Sequence, residues 1–169
     1  MKIGVPKEVF EGEKRVAMTP QSAAALQKLG YECLIESGAG DAARFSDAAY
    51  AKAGVEVVAS AADLWSRSDV VAKVRPPTDA EVALTHDGEI VVSFVYPAQS
   101  AELLDALKAR GVTTLAMDMV PRISRAQKMD ALSSMANIAG YRAVIEAGNN
   151  FGRFFTGQVM YLDGGYTSC

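Results

Sequence analysis

Short apolar runs rich in β-branched residues alternate with helical patterns up to residue 120, and this alternation constrains the fold more than any other feature. The strand candidates are KIGV, YECLIE, VEVV, DVVAKV, EIVVSFV and VTTLAM. Strands separated by helices pair in parallel, and the helices cover both faces of the sheet. The sequence therefore predicts a three-layer α/β fold with a mostly parallel, flavodoxin-like or Rossmann-like sheet.

Four of the intervening segments begin with a residue typical of a helix N-cap. These residues are Thr19, Ser60, Thr78 and Ser100, and Thr19 is followed by Pro20, which is favoured at the first helical position. We expect a helix after each of them. Beyond residue 120 the strand candidates stop, and a long C-terminal helix is predicted from about Ala126 to Phe155, with Gly148–Asn150 as a candidate break.

Composition excludes several classes of protein. The chain has 169 residues and a formal net charge of −3, which favours one globular domain and disfavours a nucleic-acid partner. The N-terminus lacks the apolar core of a signal peptide, and no apolar run is long enough to span a bilayer. Cys33 and Cys169 lie too far apart to suggest a metal or redox pair, and His86 lies in a polar, turn-like segment.

The stretch SGAGDAAR, residues 37 to 44, contains a G-x-G-x-x-A pattern directly after a strand candidate. A dinucleotide-binding fingerprint also needs a helix that opens at once and an acidic residue after the next strand. Here the loop continues to Ser46, and Glu56 lies inside the next strand candidate. A simple glycine turn is therefore favoured over a phosphate-binding loop.

The stretch PRISRAQKMDALSS, residues 121 to 134, carries more polar side chains than a helix start requires. Arginine presents a charged fork of donors, Asp130 accepts hydrogen bonds, and Gln127 and Ser133 both donate and accept. Such a set can hold a nucleotide without proton chemistry. The alternative is a capped helix start with a solvated, charged face.

Val120 to Ala147 resembles the N-terminal region of the alpha subunit of proton-translocating nicotinamide nucleotide transhydrogenase. So do the segments IGVPKEVFEGEKRVAMTP, SGAGDAARFSD, DVVAKVRPP and VSFVYPAQ. The resemblance covers nearly all of residues 1–158. It implies an N-terminal α/β domain over residues 1–125, related in fold to alanine dehydrogenase, and a linking helix over residues 126–158.

The resemblance also implies a ligand and its site. Arg122, Gln127, Asp130 and Ser133 match the residues that contact the nicotinamide, its ribose or the facing nucleotide of NAD(H), while NADP(H) would bind the partner subunit. Lys128 stands where many family members have serine. Direct hydride transfer needs orientation but no general acid or base, so we predict no catalytic residue.

A second likeness is to alanine dehydrogenases, whose pyruvate-binding arginine and lysine match Arg15 and Lys73. Where those enzymes carry a catalytic histidine, this chain has Tyr96. Alanine dehydrogenase activity is therefore disfavoured. The simpler interpretation of Arg15 and Lys73 is that they pair with acidic side chains near a strand end.

Residues 159–169 form an aberrant tail that resembles the C-terminal signature of short-chain dehydrogenases. We therefore expect a truncated or fused alpha subunit, inactive alone, from a family that couples hydride transfer between NAD(H) and NADP(H) to proton translocation. The alternatives are a non-enzymatic module with weak nucleotide or partner binding and an alanine-dehydrogenase-like domain.

The expected partners are a beta subunit or a completing chain and a second copy in a homodimer. The expected location is cytoplasmic, or peripheral on the cytoplasmic side of the inner membrane.

Overall fold

The computed structural model describes residues 1–151. The strands are β1 (Lys2–Val5), β2 (Glu32–Glu36), β3 (Glu56–Val58), β4 (Val70–Ala72), β5 (Ile90–Ser93) and β6 (Thr113–Ala116). The helices are α1 (Pro20–Lys28), α2 (Asp47–Lys52), α3 (Ala61–Arg67), α4 (Asp79–Val82), α5 (Ala101–Ala109) and α6 (Ala131–Phe151). Short 3-10 turns cover Asp41–Ala43 and Met117–Met119.

All six strands are parallel and lie in the order β3-β2-β1-β4-β5-β6. The chain builds the sheet outward from β1 to β3, then crosses to the other side of β1 and builds outward again. This is the doubly wound, Rossmann-like order. Every strand candidate from the sequence forms a strand, so the predicted α/β class is confirmed.

Side-chain alternation along β2 divides the core into two layers. Cys33 and Ile35 pack on one face with residues of α1 and α2, while Leu34 packs on the other face against Leu64 and Trp65 of α3. Neighbouring residues of a strand point to opposite faces, so an uninterrupted apolar run is needed where both faces are covered. The predicted three-layer arrangement is confirmed.

Three of the four predicted N-caps act through their side chains. The hydroxyl oxygens of Thr19, Ser60 and Thr78 each accept a hydrogen bond from the backbone N–H three residues ahead. Ser100 occupies the cap position of α5, but its side chain makes no capping hydrogen bond. Its ψ is 44°, whereas the other three caps have an extended backbone, so its hydroxyl is not directed at the helix N-terminus.

The long helix begins later than predicted. Residues 121 to 130 form successive turns, in which Ala126 N–H donates to Ile123 O and Met129 N–H to Ala126 O, and α6 starts at Ala131 rather than Ala126. It runs without interruption through Gly148–Asn150, so the candidate break is wrong. The remainder of the predicted helix and the tail at 159–169 lie outside the described residues.

The chain divides into two compact units, Met1–Met119 and a second that begins at Val120, so this division precedes the predicted boundary after residue 125. Within residues 1–151, no helix combines the length and the apolar character that crossing a membrane requires.

Candidate functional site

An open cleft of about 240 Å³ lies in the second unit at the start of α6. It is lined by Arg122, Ile123, Ser124, Gln127, Asp130 and Ser133. The structure therefore brings together all four residues predicted from the sequence. Ile123 and Ser124 were not predicted, and the only sequence signal for them is their position within the same polar stretch.

Asp130 is the N-cap of α6. Its Oδ1 accepts hydrogen bonds from the backbone N–H groups of Leu132 at 3.1 Å and Ser133 at 3.2 Å, and its Oδ2 accepts from the Ser133 hydroxyl at 2.5 Å. A helix N-terminus leaves its first N–H groups without internal partners, and a carboxylate there satisfies them and opposes the helix dipole. The predicted capped helix start is confirmed for this residue.

The same contacts determine the charge of Asp130. The hydrogen bond from the Ser133 hydroxyl lowers the pKa of Asp130, and the N–H groups of Ser133 and Leu132 and the positive charge of Arg122 lower it further. The carboxyl is therefore ionised at neutral pH. The cleft presents a fixed negative group beside the exposed, permanently charged guanidinium of Arg122.

The size of the cleft limits what it holds. Pockets that bury a whole drug-sized ligand usually measure roughly 300 to 1,000 Å³. At about 240 Å³ and open to solvent, this cleft is suited to one end of a larger ligand. Its polar lining groups are a guanidinium, a carboxylate, an amide and hydroxyls, which can bind and orient a ligand through charge and hydrogen bonds.

The glycine stretch at residues 37–44 is a turn whose polar groups have intramolecular partners. Gly38 N–H donates to Asp47 Oδ1 at 3.0 Å, and the Ser37 hydroxyl donates to Asp47 Oδ2 at 2.6 Å. These hydrogen bonds lower the pKa of Asp47. A phosphate would have to displace that carboxylate, and the stretch continues into a 3-10 turn at Asp41–Ala43 rather than a long helix. The predicted glycine turn is confirmed.

Arg15 is paired with an acidic neighbour, as the simpler interpretation predicted. Its guanidinium donates to both carboxylate oxygens of Glu13, at 2.7 and 2.6 Å, and Arg75 Nε donates to Glu13 Oε2 at 2.7 Å. These partners, Arg15 first, lower the pKa of Glu13 to about 2. Glu13 was not among the residues predicted from the sequence, although the acid-rich segment KEVFEGEKR contains it.

Lys73 is fully buried just after β4. Its Nζ lies 2.5 Å from Glu81 Oε1 and 3.8 Å from Glu8 Oε2. Glu8 also accepts hydrogen bonds from the backbone N–H groups of Val74 and Arg75. A buried cation requires such pairing, so the predicted pairing of Lys73 with acidic side chains is confirmed.

Tyr96 lies in the loop after β5, at the carboxyl-terminal edge of the sheet. Its φ of 52° is in the left-handed region, which non-glycine residues rarely adopt. Asp118 holds this backbone because its carboxylate accepts the N–H groups of Val95 at 2.8 Å and Tyr96 at 2.9 Å. The Tyr96 ring stacks on Phe94 with centroids 6.1 Å apart.

His86 and Cys33 lie away from these residues. His86 precedes β5, at the opposite edge of the sheet from Tyr96, and about half of its side chain is exposed, as the loop position predicted. Cys33 is buried, and burial raises the pKa of its thiol, which disfavours the reactive thiolate. Among residues 1–151 no group of histidine, cysteine and acidic side chains is suited to a metal ion.

A parallel sheet in the β3-β2-β1-β4-β5-β6 order, covered by helices on both faces, defines a doubly wound, Rossmann-like α/β domain. Residues 4–139 match the family model described as alanine dehydrogenase/PNT, N-terminal domain. The chain belongs to that family.

Relatives and solved structures agree with this assignment. The chain is 69% identical to the NAD(P) transhydrogenase subunit alpha of Cereibacter sphaeroides over 94% of its own length and 30% of that protein. It is similar to the crystal structure of transhydrogenase from Sinorhizobium meliloti, with a TM-score of 0.84, 38% identity and coverage of 96% of this chain and 48% of that one.

A solved L-alanine dehydrogenase is also similar, with a TM-score of 0.80, 36% identity and coverage of 90% of this chain and 42% of that one. The resemblance to transhydrogenase alpha subunits predicted from the sequence is confirmed. The chain spans about a third to a half of the length of the proteins that it matches.

Proposed function

We propose that this chain supplies the nicotinamide-facing part of the NAD(H) site of a transhydrogenase alpha subunit. The observation that carries the proposal is the cleft that gathers Arg122, Gln127, Asp130 and Ser133. These four residues contact the nicotinamide, its ribose or the facing nucleotide. The small, open volume of the cleft supports this because it suits one end of a dinucleotide.

The chemistry of the lining residues fits the reaction. Direct hydride transfer between two nicotinamide rings requires a fixed distance and orientation but no proton transfer at the transferring carbon atoms. Arg122 offers a permanent charge to a phosphate or an amide oxygen, and the ionised Asp130 accepts hydrogen bonds. A ligand that donates a hydrogen bond to Asp130 would share the Asp130 carboxylate with the N–H groups at the start of α6.

The complete reaction is a property of a larger assembly. The chain covers 30% of the alpha subunit relative, so we propose that further polypeptide supplies the pyrophosphate-binding half of the NAD(H) site and that a beta subunit binds NADP(H). Coupling to proton translocation and a peripheral location at the cytoplasmic face of the inner membrane follow from that assembly. We expect the 169 residues alone to catalyse no hydride transfer.

One observation favours the alternative of a non-enzymatic module. Asp130 and Ser133 already bond to each other and to the start of α6, which gives both residues a structural reason to be present. The alanine-dehydrogenase-like alternative has no such support. Arg15 and Lys73 are neutralised by glutamates, and the histidine of the chain lies at the opposite edge of the sheet from Tyr96.

Calorimetric titration with NADH tests the proposal. We expect a dissociation constant below about 100 μM, near −5.5 kcal/mol. Asp130→Asn should weaken binding about tenfold, because asparagine caps a helix as well as aspartate does but lacks the charge. Asp105→Asn, an exposed carboxylate on α5, is the matched control. No detectable heat at millimolar NADH, or equal affinities for the two variants, would favour the non-enzymatic module.

We also propose that the chain forms the predicted homodimer. Supporting it, α6 exposes large apolar side chains: Leu132, Met135, Ile138, Tyr141, Val144 and Ile145. Exposed apolar surface of this kind is commonly covered by another chain. Sedimentation equilibrium should give twice the chain mass, and Ile138→Ser with Tyr141→Ser should shift it to the monomer mass. A wild-type chain that sediments at the monomer mass would contradict the proposed homodimer.

A further inference from the structure

His86 has a carbonyl acceptor at each ring nitrogen. Its Nδ1 lies 3.2 Å from Asp87 O, and its Nε2 lies 3.1 Å from Ser68 O. A neutral imidazole has one N–H group and can donate to one of these carbonyls, whereas the imidazolium donates to both. Both hydrogen bonds, to Asp87 O and to Ser68 O, can therefore form only when His86 is protonated.

Glu89 lies beside this ring and is fully buried. Its Oε1 is 3.9 Å from His86 Nε2, and among the described residues neither carboxylate oxygen accepts a hydrogen bond. Burial raises the pKa of Glu89 to about 7, although the charge of His86, its nearby backbone N–H group and the charge of Arg110 each act to lower it. A buried carboxylate without hydrogen bonds is costly, so the proton is favoured.

In the part of the chain that the structure describes, three other charged groups lie around the pair, and two of them, Arg110 and Asp69, already have partners. Arg110, at the end of α5, donates to the Thr85 hydroxyl at 2.9 Å and to the carbonyl of Ala83 at 3.1 Å. Asp69, before β4, accepts from Lys2 N–H at 2.6 Å. Asp87 lies in the same turn as His86. Arg110 and Asp69 act on the pair through their charge, and neither hydrogen-bonds to Glu89.

We propose that Ser68, His86, Asp87 and Glu89 form a proton-dependent clamp that ties the turn before β5 to the end of α3, closed when His86 and Glu89 carry their protons and opened by their loss. Raising the pH removes the N–H group from one of the two carbonyls. It also leaves a charged carboxylate in the core. Both changes loosen the same junction, which lies at the amino-terminal edge of the sheet.

Loss of the proton from Glu89 and loss of the proton from His86 both lower the stability of the folded state. The pKa of Glu89 is raised from 4.5 to about 7, and that of His86 is raised above 6.5, first through the carbonyl of Asp87. The folded state therefore binds more protons than the unfolded chain, so stability falls as the pH rises. The loss due to Glu89 runs from about pH 4.5 to 7, and the loss due to His86 from about 6.5 upward.

The chain has one histidine, so the imidazole Hε1 resonance of tag-free protein reports His86 alone. We expect its titration midpoint to lie above the ordinary value of about 6.5 and to fall by at least half a pH unit in Glu89→Gln. Glu102→Gln, an exposed carboxylate on α5, should leave the midpoint unchanged. A wild-type midpoint at or below 6.5, or a midpoint that Glu89→Gln does not move, would overturn the proposal.

Thermal unfolding between pH 5.5 and 8.5 gives a second readout. The melting temperature of the wild type should fall across this range by several degrees more than that of Glu89→Gln. If Glu89→Gln does not fold, His86→Gln takes its place in this comparison. A His86→Gln profile parallel to that of the wild type would overturn the clamp.

Discussion

Lys73 shows what a single buried charge requires of its surroundings. The side chain has no exposed surface, and its ammonium group is balanced by Glu81 and, at longer range, by Glu8. The sequence predicted that Lys73 would pair with an acidic residue. It could not identify Glu8, which lies 65 positions away and meets Lys73 only because β1 and β4 are adjacent in the sheet.

We predict that Lys73→Met lowers the free energy of unfolding by roughly 3–5 kcal/mol, because it leaves two buried carboxylates without their cation. Combining it with Glu81→Gln should restore part of that loss, since glutamine keeps the capping contact with Thr78. Urea unfolding measures both. Arg67→Met, at an exposed pair, is the control and should change little. A double variant less stable than Lys73→Met alone would contradict the account.

We predict that Glu13 makes the stability of the protein fall in acid. Its folded pKa of about 2 lies below the ordinary 4.5, so its contribution is present above pH 4.5 and is lost as the pH falls toward 2. Glu13→Gln should be less stable than the wild type at neutral pH and should lose less stability between pH 5 and 3. Chemical denaturation at each pH measures this, and parallel wild-type and variant profiles would refute it.

At the scale of elements, local signals identified the strands and most helix starts. Thr19, Ser60 and Thr78 are capping residues on extended backbone, which is why the sequence located α1, α3 and α4. The start of α6 was placed too early. Residues 126–130 have helical propensity, but they form turns that end at Asp130, whose carboxylate sets the helix start through contacts that periodicity does not reveal.

Gly4 allows α3 to approach β1 closely. A Cβ at this position would lie 2.0 Å from Ser68 Oγ and 3.0 Å from a Leu64 methyl carbon. We predict that Gly4→Ala lowers the free energy of unfolding by about 1–3 kcal/mol through overpacking. Gly148→Ala in α6, where a Cβ meets no neighbour, should be neutral or stabilising by up to about 1 kcal/mol. Urea titrations that ranked the two variants in the opposite order would contradict this packing.

The cap of α6 gives a test that separates structure from binding. Asp130→Ala removes the acceptor for the N–H groups of Leu132 and Ser133, so we predict lower helicity by circular dichroism. Asp130→Asn retains an acceptor and should keep the wild-type helicity while losing affinity for NADH. Equal helicity in all three proteins would show that Asp130 does not determine the start of α6.

At the scale of the whole molecule, the fold was more predictable than the site. Alternating strands and helices require a parallel sheet, and covered faces require apolar runs such as ECLIE, so physical rules led to the α/β class. The prediction of the cleft depended on the resemblance to transhydrogenase alpha subunits. Its side chains lie in turns, and no periodic pattern in the sequence specifies the geometry of turns. The residues alone did not distinguish a capped helix start from a nucleotide site. In the structure Asp130 forms the cap of α6.

The central claim is that the cleft at residues 122–133 receives the nicotinamide end of NAD(H). Heteronuclear NMR of the isotope-labelled chain during titration with reduced nicotinamide mononucleotide, and separately with AMP, tests it most directly. We predict that the mononucleotide shifts the amide signals of Arg122, Gln127, Asp130 and Ser133 more than those of Gly38 to Ala43, and that AMP shifts them less. Shifts confined to the glycine turn, or no shifts with either compound at millimolar concentration, would contradict the account.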